Sequence, residues 1–218
     1  KINGVVSSFS GSYVNNATGR VNNMKIATNS VNGTLLMPGE EFSYNKAIGK
    51  TTPENGYQQA GAYVAGEVVQ EYGGGVCNIS TILYRAAMRA NLKSSLRYNH
   101  SMMVSYAEPS LDATVYEGEI DYRFVNTYDF PIYIEGYMTS NTIVFNIYGN
   151  KESFGNNTYE LVNEVIEKLD YTTEYVNDNT LAEGSRVTTV NGMAGYRSKA
   201  YLVTYSNGVE VSREFISS

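Results

Sequence analysis

The chain has 218 residues, of which 42% are apolar and 17% charged, enough for a real core in one or two domains. A formal net charge of −6, with no block of basic residues, argues against nucleic-acid binding by phosphate neutralisation. No apolar run approaches the roughly 20 residues that span a bilayer, and a single cysteine excludes an intramolecular disulfide.

Gly and Tyr each occur 20 times and Trp is absent, a profile of short strands and tight turns. One cysteine suits a cytosolic protein and equally a secreted protein from an organism that avoids structural disulfides. The first residue is Lys1 rather than Met, so an export signal or membrane anchor is expected upstream.

In chain order, the first clear helix falls within 20–36, where Val21, Met24, Ala27, Thr28 and Val31 share a helical face. Asn32-Gly33 ends it as a turn or C-cap. Residues 37–43, with Pro38-Gly39 near the start, read as a turn into a strand. A second helix is expected just after Cys77, with Ile79, Ile82, Leu83, Ala86, Ala87 and Ala90 on one apolar face. Arg85 and Arg89 fall on the other side, Asn78 suits the N-cap, and Asn91 ends the element.

Strands follow. Ile120, Tyr122 and Phe124 alternate with Asp121 and Arg123. Ile132-Tyr133-Ile134 and the alternating Ile143, Phe145 and Ile147 flank a short hairpin loop, Thr139-Ser140-Asn141. Residues 151–157 read as a polar linker. Beyond it, 159–176 fits a helix by period, while Thr172-Thr173-Glu174-Tyr175-Val176 favours strand. Asn207-Gly208 closes a terminal hairpin. The expected class is α+β: a β-rich domain over 1–150 with a few helices, and a small all-β module over 157–218.

The chemistry centres on Gly73-Gly74-Gly75-Val76-Cys77-Asn78. A helix N-terminus lowers a thiol pKa from about 8.5, because its unpaired N–H groups act as a partial positive charge. The glycines admit φ > 0 and allow a substrate close to the backbone. Backbone N–H groups near Gly75, Cys77 and Asn78 can then face an oxyanion. The only histidine, His100, is the candidate base. Asp112 is the first choice to orient it, with Glu108 or a backbone carbonyl as alternatives. A lone buried Cys can equally be a small core residue. Cys77 and His100 alone are too few ligands for zinc, and Gly73-Gly74-Gly75 lacks the ending of a phosphate loop.

The stretch from Gly73 to Ala87 resembles the central motif of the VanW domain family. Arg20-Val21-Asn22-Asn23, Pro38-Gly39-Glu40-Glu41-Phe42-Ser43-Tyr44-Asn45, Gly56-Tyr57-Gln58-Gln59-Ala60 and Arg97-Tyr98-Asn99-His100-Ser101 agree with it. So do Asp112-Ala113-Thr114-Val115 and Phe124-Val125-Asn126. The tail resembles a G-five domain through Gly184, Gly192-Met193-Ala194-Gly195 and Ser206-Asn207-Gly208-Val209-Glu210-Val211.

The resemblance implies a peptidoglycan L,D-transpeptidase, as some clostridial members of the family are. Carried over, Cys77 is the nucleophile and His100 the base. Gly75, Asn78, Ser80 and Arg97 form the oxyanion and substrate-approach set, with Asn78 an amide where the family often has Gln. The products are 3-3 cross-links formed through a thioester. The implied partners are peptidoglycan stem peptides, with wall amino sugars at the tail. No metal or other cofactor is implied, and no nucleic acid. The implied setting is the outer envelope of a Gram-positive bacterium, with membrane contact only through an anchor outside this sequence. The alternatives are a non-catalytic wall-binding protein and a cysteine hydrolase.

Overall fold

A computed structural model describes residues 1–15, 17–64 and 67–218. It is α+β, as expected. In chain order come β1 (Gly4–Ser12), α1 (Thr18–Val31), β2 (Thr34–Leu36), β3 (Glu41–Ser43) and α2 (Tyr44–Ile48). Next are β4 (Gln59–Val64), β5 (Glu67–Tyr72), α3 (Val76–Arg89), β6 (Ser94–Leu96) and β7 (Arg123–Val125). β8 (Ile132–Met138), β9 (Thr142–Gly149), β10 (Asn157–Leu169), β11 (Gly195–Ser206) and β12 (Val209–Ser217) complete it.

The sheets run β1-β9-β8-β2, β3-β7-β6, β4-β5 and β10-β11-β12, and every pairing is antiparallel. α3 is the axis. Ile79, Ile82, Leu83, Ala86 and Ala87 are buried as the pattern predicts, and so are Thr81, Tyr84 and Met88. The helix therefore buries most of its circumference, against α1, β1, β9 and β10. Arg85 and Arg89 escape by stacking their guanidinium groups on the Phe9 ring, 4.3 Å and 4.8 Å from its centre.

Several boundaries differ from the sequence reading. α3 begins at Val76, so Cys77 lies in its first turn rather than before it. The N-cap is Gly75, at φ 112°, not Asn78. A residue without Cβ lets the chain turn into the helix earlier, and Gly75 O accepts the Asn78 N–H at 3.1 Å. At the other end Asn91 stands in the left-handed region at φ 54°, as a helix-terminating residue does.

The strand read from Ile120 to Phe124 shrinks to β7, because Tyr116 and Ile120 close a turn on each other first. The segment read as a polar linker is a 3-10 turn, Lys151–Phe154. Its Phe154 is buried between Tyr128 and Tyr159, with ring centres 5.3 and 6.2 Å away. Of the two readings of 159–176, strand prevails up to Leu169, because pairing with β11 satisfies its backbone. Val165 and Ile166, apolar on a helical wheel, are half exposed.

The β10-β11-β12 sheet shares its core with the rest of the chain through Leu161, Ala200 and Leu202. Polar contacts pin the seam. Arg89 pairs with Glu160 at 2.7 Å, and Asn163 Nδ2 donates to Pro109 O at 3.1 Å. Ser110 and Ser198 share a hydroxyl contact of 2.5 Å. No helix among the described residues is long and apolar enough to cross a membrane.

Candidate active site

The site forms where the first turn of α3 meets the segment 112–115. That segment is tied on both sides. Thr114 N–H donates to Tyr98 O at 2.9 Å, an isolated bridge that fixes the 98–100 segment beside it. Val115 lies against Cys77, with its O and N at 3.3 Å and 3.5 Å from Sγ. Ser80 Oγ donates to Ala113 O at 2.6 Å, and Thr81 Oγ1 accepts the Ala113 N–H at 3.1 Å. One short extended segment thus brings Cys77, His100 and Asp112 together across a wide sequence gap.

Asp112 Oδ2 accepts the His100 backbone N–H at 2.6 Å and lies 2.5 Å from His100 Nδ1. Nδ1 is therefore the nitrogen that faces the carboxylate, which leaves Nε2 on the other side of the ring. The imidazole and the Cys77 thiol line the same groove and are near enough to shift each other's pKa. Tyr106 OH sits 3.2 Å from Nε2. Arg97 completes the support: Nε donates to Asp112 O at 2.7 Å, and Nη2 to Ser110 O at 2.9 Å and Asp112 Oδ1 at 3.3 Å.

The electrostatics follow from this packing. Burial pushes the Cys77 thiol up, but the His100 hydrogen bond and charge, with Val115 and Thr114, bring it below its ordinary value. Burial pushes His100 down, but hydrogen bonds to Asp112 and Cys77 and their charges raise it to about 9. Burial opposes ionisation of Asp112, and His100 and then Arg97 outweigh it, so its pKa is lowered. All three shifts run in the direction that favours a thiolate–imidazolium pair over a carboxylate.

Cys77 is partly exposed on a groove of about 1620 Å³ that also takes in Gly73, Gly74, Gly75, Asn78, His100 and Tyr106. The predicted residues separate here. Ser80 and Arg97 turn inward and hold the frame, bonded to Ala113 and to Asp112 respectively. Glu108 pairs with Arg85 at 2.7 Å instead of His100. Asn78 is buried beside the groove. Its Nδ2 has only a 4.0 Å contact to Met24 Sδ, and its Oδ1 has no partner among the described residues. An amide so placed has hydrogen-bonding capacity to offer.

Gly73 and Gly75 stand at φ 85° and 112°, as the sequence reading expects, and the run also has a packing role. A Cβ on Gly74 would lie 2.6 Å from Ala60 O, and one on Gly75 3.0 Å from Arg20 Cγ. They seat the turn against β4 and α1 and line the groove that holds Cys77. Asn23 clamps the same turn, donating from Nδ2 to Gln58 O at 2.8 Å and Gly74 O at 3.0 Å. Asn23 lies in the Arg20–Asn23 motif with no role legible from the residues, and Tyr106 carries no sequence signal beyond its nearness to His100. Among the described residues no group of three or more His, Cys, Asp or Glu side chains is placed to hold a metal ion.

The α+β fold thus sets a helix-start cysteine and the histidine of a His100–Asp112 pair on one open groove. Residues 19–148 match the family described as VanW like protein, and the chain belongs to that family. Residues 160–218 match the G5 domain. The chain is 34% identical over 131 residues to YoaR of Bacillus subtilis (strain 168), covering 60% of this chain and 43% of that protein. It is 27% identical over 139 residues to the vancomycin B-type resistance protein VanW of Enterococcus faecalis (strain ATCC 700802 / V583), covering 61% and 50%. The chain thus spans about half the length of the curated relatives it matches. No solved structure matches it. Together, the VanW and G5 matches support a cell-wall-related role.

Proposed function

We propose that the protein is a cysteine-dependent peptidoglycan L,D-transpeptidase. The observation that carries this reading is the His100–Asp112 pair, tied at 2.5 Å, on the same groove as the Cys77 thiol, a groove large enough for a peptide. The Cys77 thiolate attacks the carbonyl carbon that joins the L-configured centre of a diamino acid to a terminal D-residue. A C–S bond forms, and the negative charge on oxygen faces the backbone N–H of the Gly75–Cys77 turn and the Asn78 amide. The oxyanion collapses, the C–N bond breaks, and imidazolium Nε2 gives its proton to the leaving amine. An acceptor side-chain amine then attacks the thioester, the imidazole takes its proton, and thiolate leaves.

Transfer is favoured over hydrolysis by a second cavity of about 670 Å³ between the 99–110 loop and β11, which His100 also lines. An amine arriving from that side meets the base after the first product has left. The division into a catalytic unit over 1–150 and a β module over 157–218 belongs to the same reading, with wall amino sugars as ligands of the module. So does a site of action in the envelope of a Gram-positive bacterium.

The test is cross-link formation from purified stem tetrapeptides, followed by mass spectrometry. Wild-type protein is expected to yield 3-3 dimers, and Cys77→Ala none. Dimer formation by Cys77→Ala protein would overturn the assignment. Free tripeptide without dimer would make the protein a hydrolase.

A further inference from the structure

Apart from the His100 imidazole, the groove holds few charged side chains. Glu71, Glu117 and Glu119 line it, and the sole Lys or Arg among its described lining residues is Arg20. Arg20 stands in the first turn of α1 and is half buried. Its stem lies against Gly75: a Cβ there would meet Arg20 Cγ at 3.0 Å. Nη1 donates to Gly61 O at 3.3 Å, which aims the head group along the groove wall. Arg20 makes no ion pair with any described carboxylate. Every other arginine described near the site is committed: Arg97 to Asp112 and Arg85 to Glu108.

A half-buried guanidinium held by one carbonyl keeps donors free in a planar fork suited to a carboxylate. Its position beside Gly75 sets that fork next to the first turn that carries Cys77. We propose that Arg20 is a carboxylate subsite that recognises the free α-carboxylate of the residue leaving from the scissile bond. Resting on the transpeptidase reading, this makes the donor class a stem that ends one residue past the attacked carbonyl. A stem one residue longer carries its carboxylate out of register with Arg20.

The experiment uses Cys77→Ala protein, so that binding is read without chemistry. Calorimetry compares a stem tetrapeptide with a free C-terminus against the same peptide as its C-terminal amide. The acid is expected to bind about tenfold or more tighter than the amide, as for a hydrogen-bonded charge pair. Arg20→Ala added to that protein is expected to erase the difference by weakening the acid alone, and Arg20→Lys to restore part of it. Unchanged amide binding shows that the variant site is intact. Equal binding of acid and amide, or a preference that survives Arg20→Ala, overturns the subsite. Failure of the transpeptidase reading looks different: acid-selective binding that depends on Arg20, with no acyl-enzyme on wild-type Cys77.

Discussion

At the scale of single residues, the thiol and the imidazole tune each other. The lowered Cys77 pKa and the His100 pKa raised to about 9 both shift toward a thiolate–imidazolium pair, the state that the proposed chemistry uses. Iodoacetamide alkylation of Cys77 is expected to titrate below the ordinary thiol value of about 8.5, and His100→Ala to move that midpoint upward. A midpoint at or above that value in wild-type protein contradicts the ion pair. Acylation is expected to fall again as pH rises through about 9, where His100 loses the proton the leaving amine needs. Stability follows the same sign. A raised His100 pKa stabilises the fold below its unfolded value, and that contribution disappears as pH climbs through about 9. Asp112→Asn keeps an acceptor but removes the charge facing His100 and Arg97. It is expected to lower the acylation rate by about two orders of magnitude or more, read by stopped-flow mass spectrometry.

At the scale of elements, the glycine turn and α3 act as one piece. Gly74→Ala forces a methyl group against Ala60 backbone, 2.6 Å from its oxygen. Gly75→Ala puts a side chain at φ 112°, a strain of about 1–3 kcal/mol. Both are expected to lower the urea midpoint and to slow alkylation of Cys77, since the turn seats the helix start. A Gly74→Ala protein of unchanged midpoint contradicts that packing. The sequence already exposed much here. The 3.6-residue period of Ile79, Ile82, Leu83 and Ala86 foretold α3, and the one Cys and one His singled out by the sequence line a common groove. What it hid was set by partners distant in the chain. β1 is serine-rich and becomes a strand only because β9 pairs with it. Helix and strand were both open for 159–169 until β11 supplied the hydrogen bonds. Asp112 was one choice among several, because only the fold shows Glu108 turned to Arg85. Ser80 and Arg97 sat in the right motifs, but burial and partners make them supports.

At the scale of the whole molecule, the terminal sheet and the rest of the chain share a core across α3. Leu161 and Leu202 are each 2% exposed in that seam. Leu161→Ala is expected to cost about 2–5 kcal/mol and to lower one cooperative transition in scanning calorimetry. Two separate transitions, with only one displaced, would contradict a shared core. The same docking holds the 99–110 loop, through Ser110–Ser198 and Asn163–Pro109, close behind His100. A ligand on the terminal sheet therefore has a short physical route to the imidazole.

The central claim is that Cys77 carries the acyl group. Its most direct test is intact-protein mass spectrometry of wild-type protein mixed with a stem tetrapeptide and quenched in acid. The account predicts a tripeptidyl adduct, short of the terminal D-residue, mapped to Cys77 and lost on hydroxylamine treatment. Turnover of the peptide with no adduct on Cys77, or an adduct that persists in Cys77→Ser protein at another residue, would contradict it.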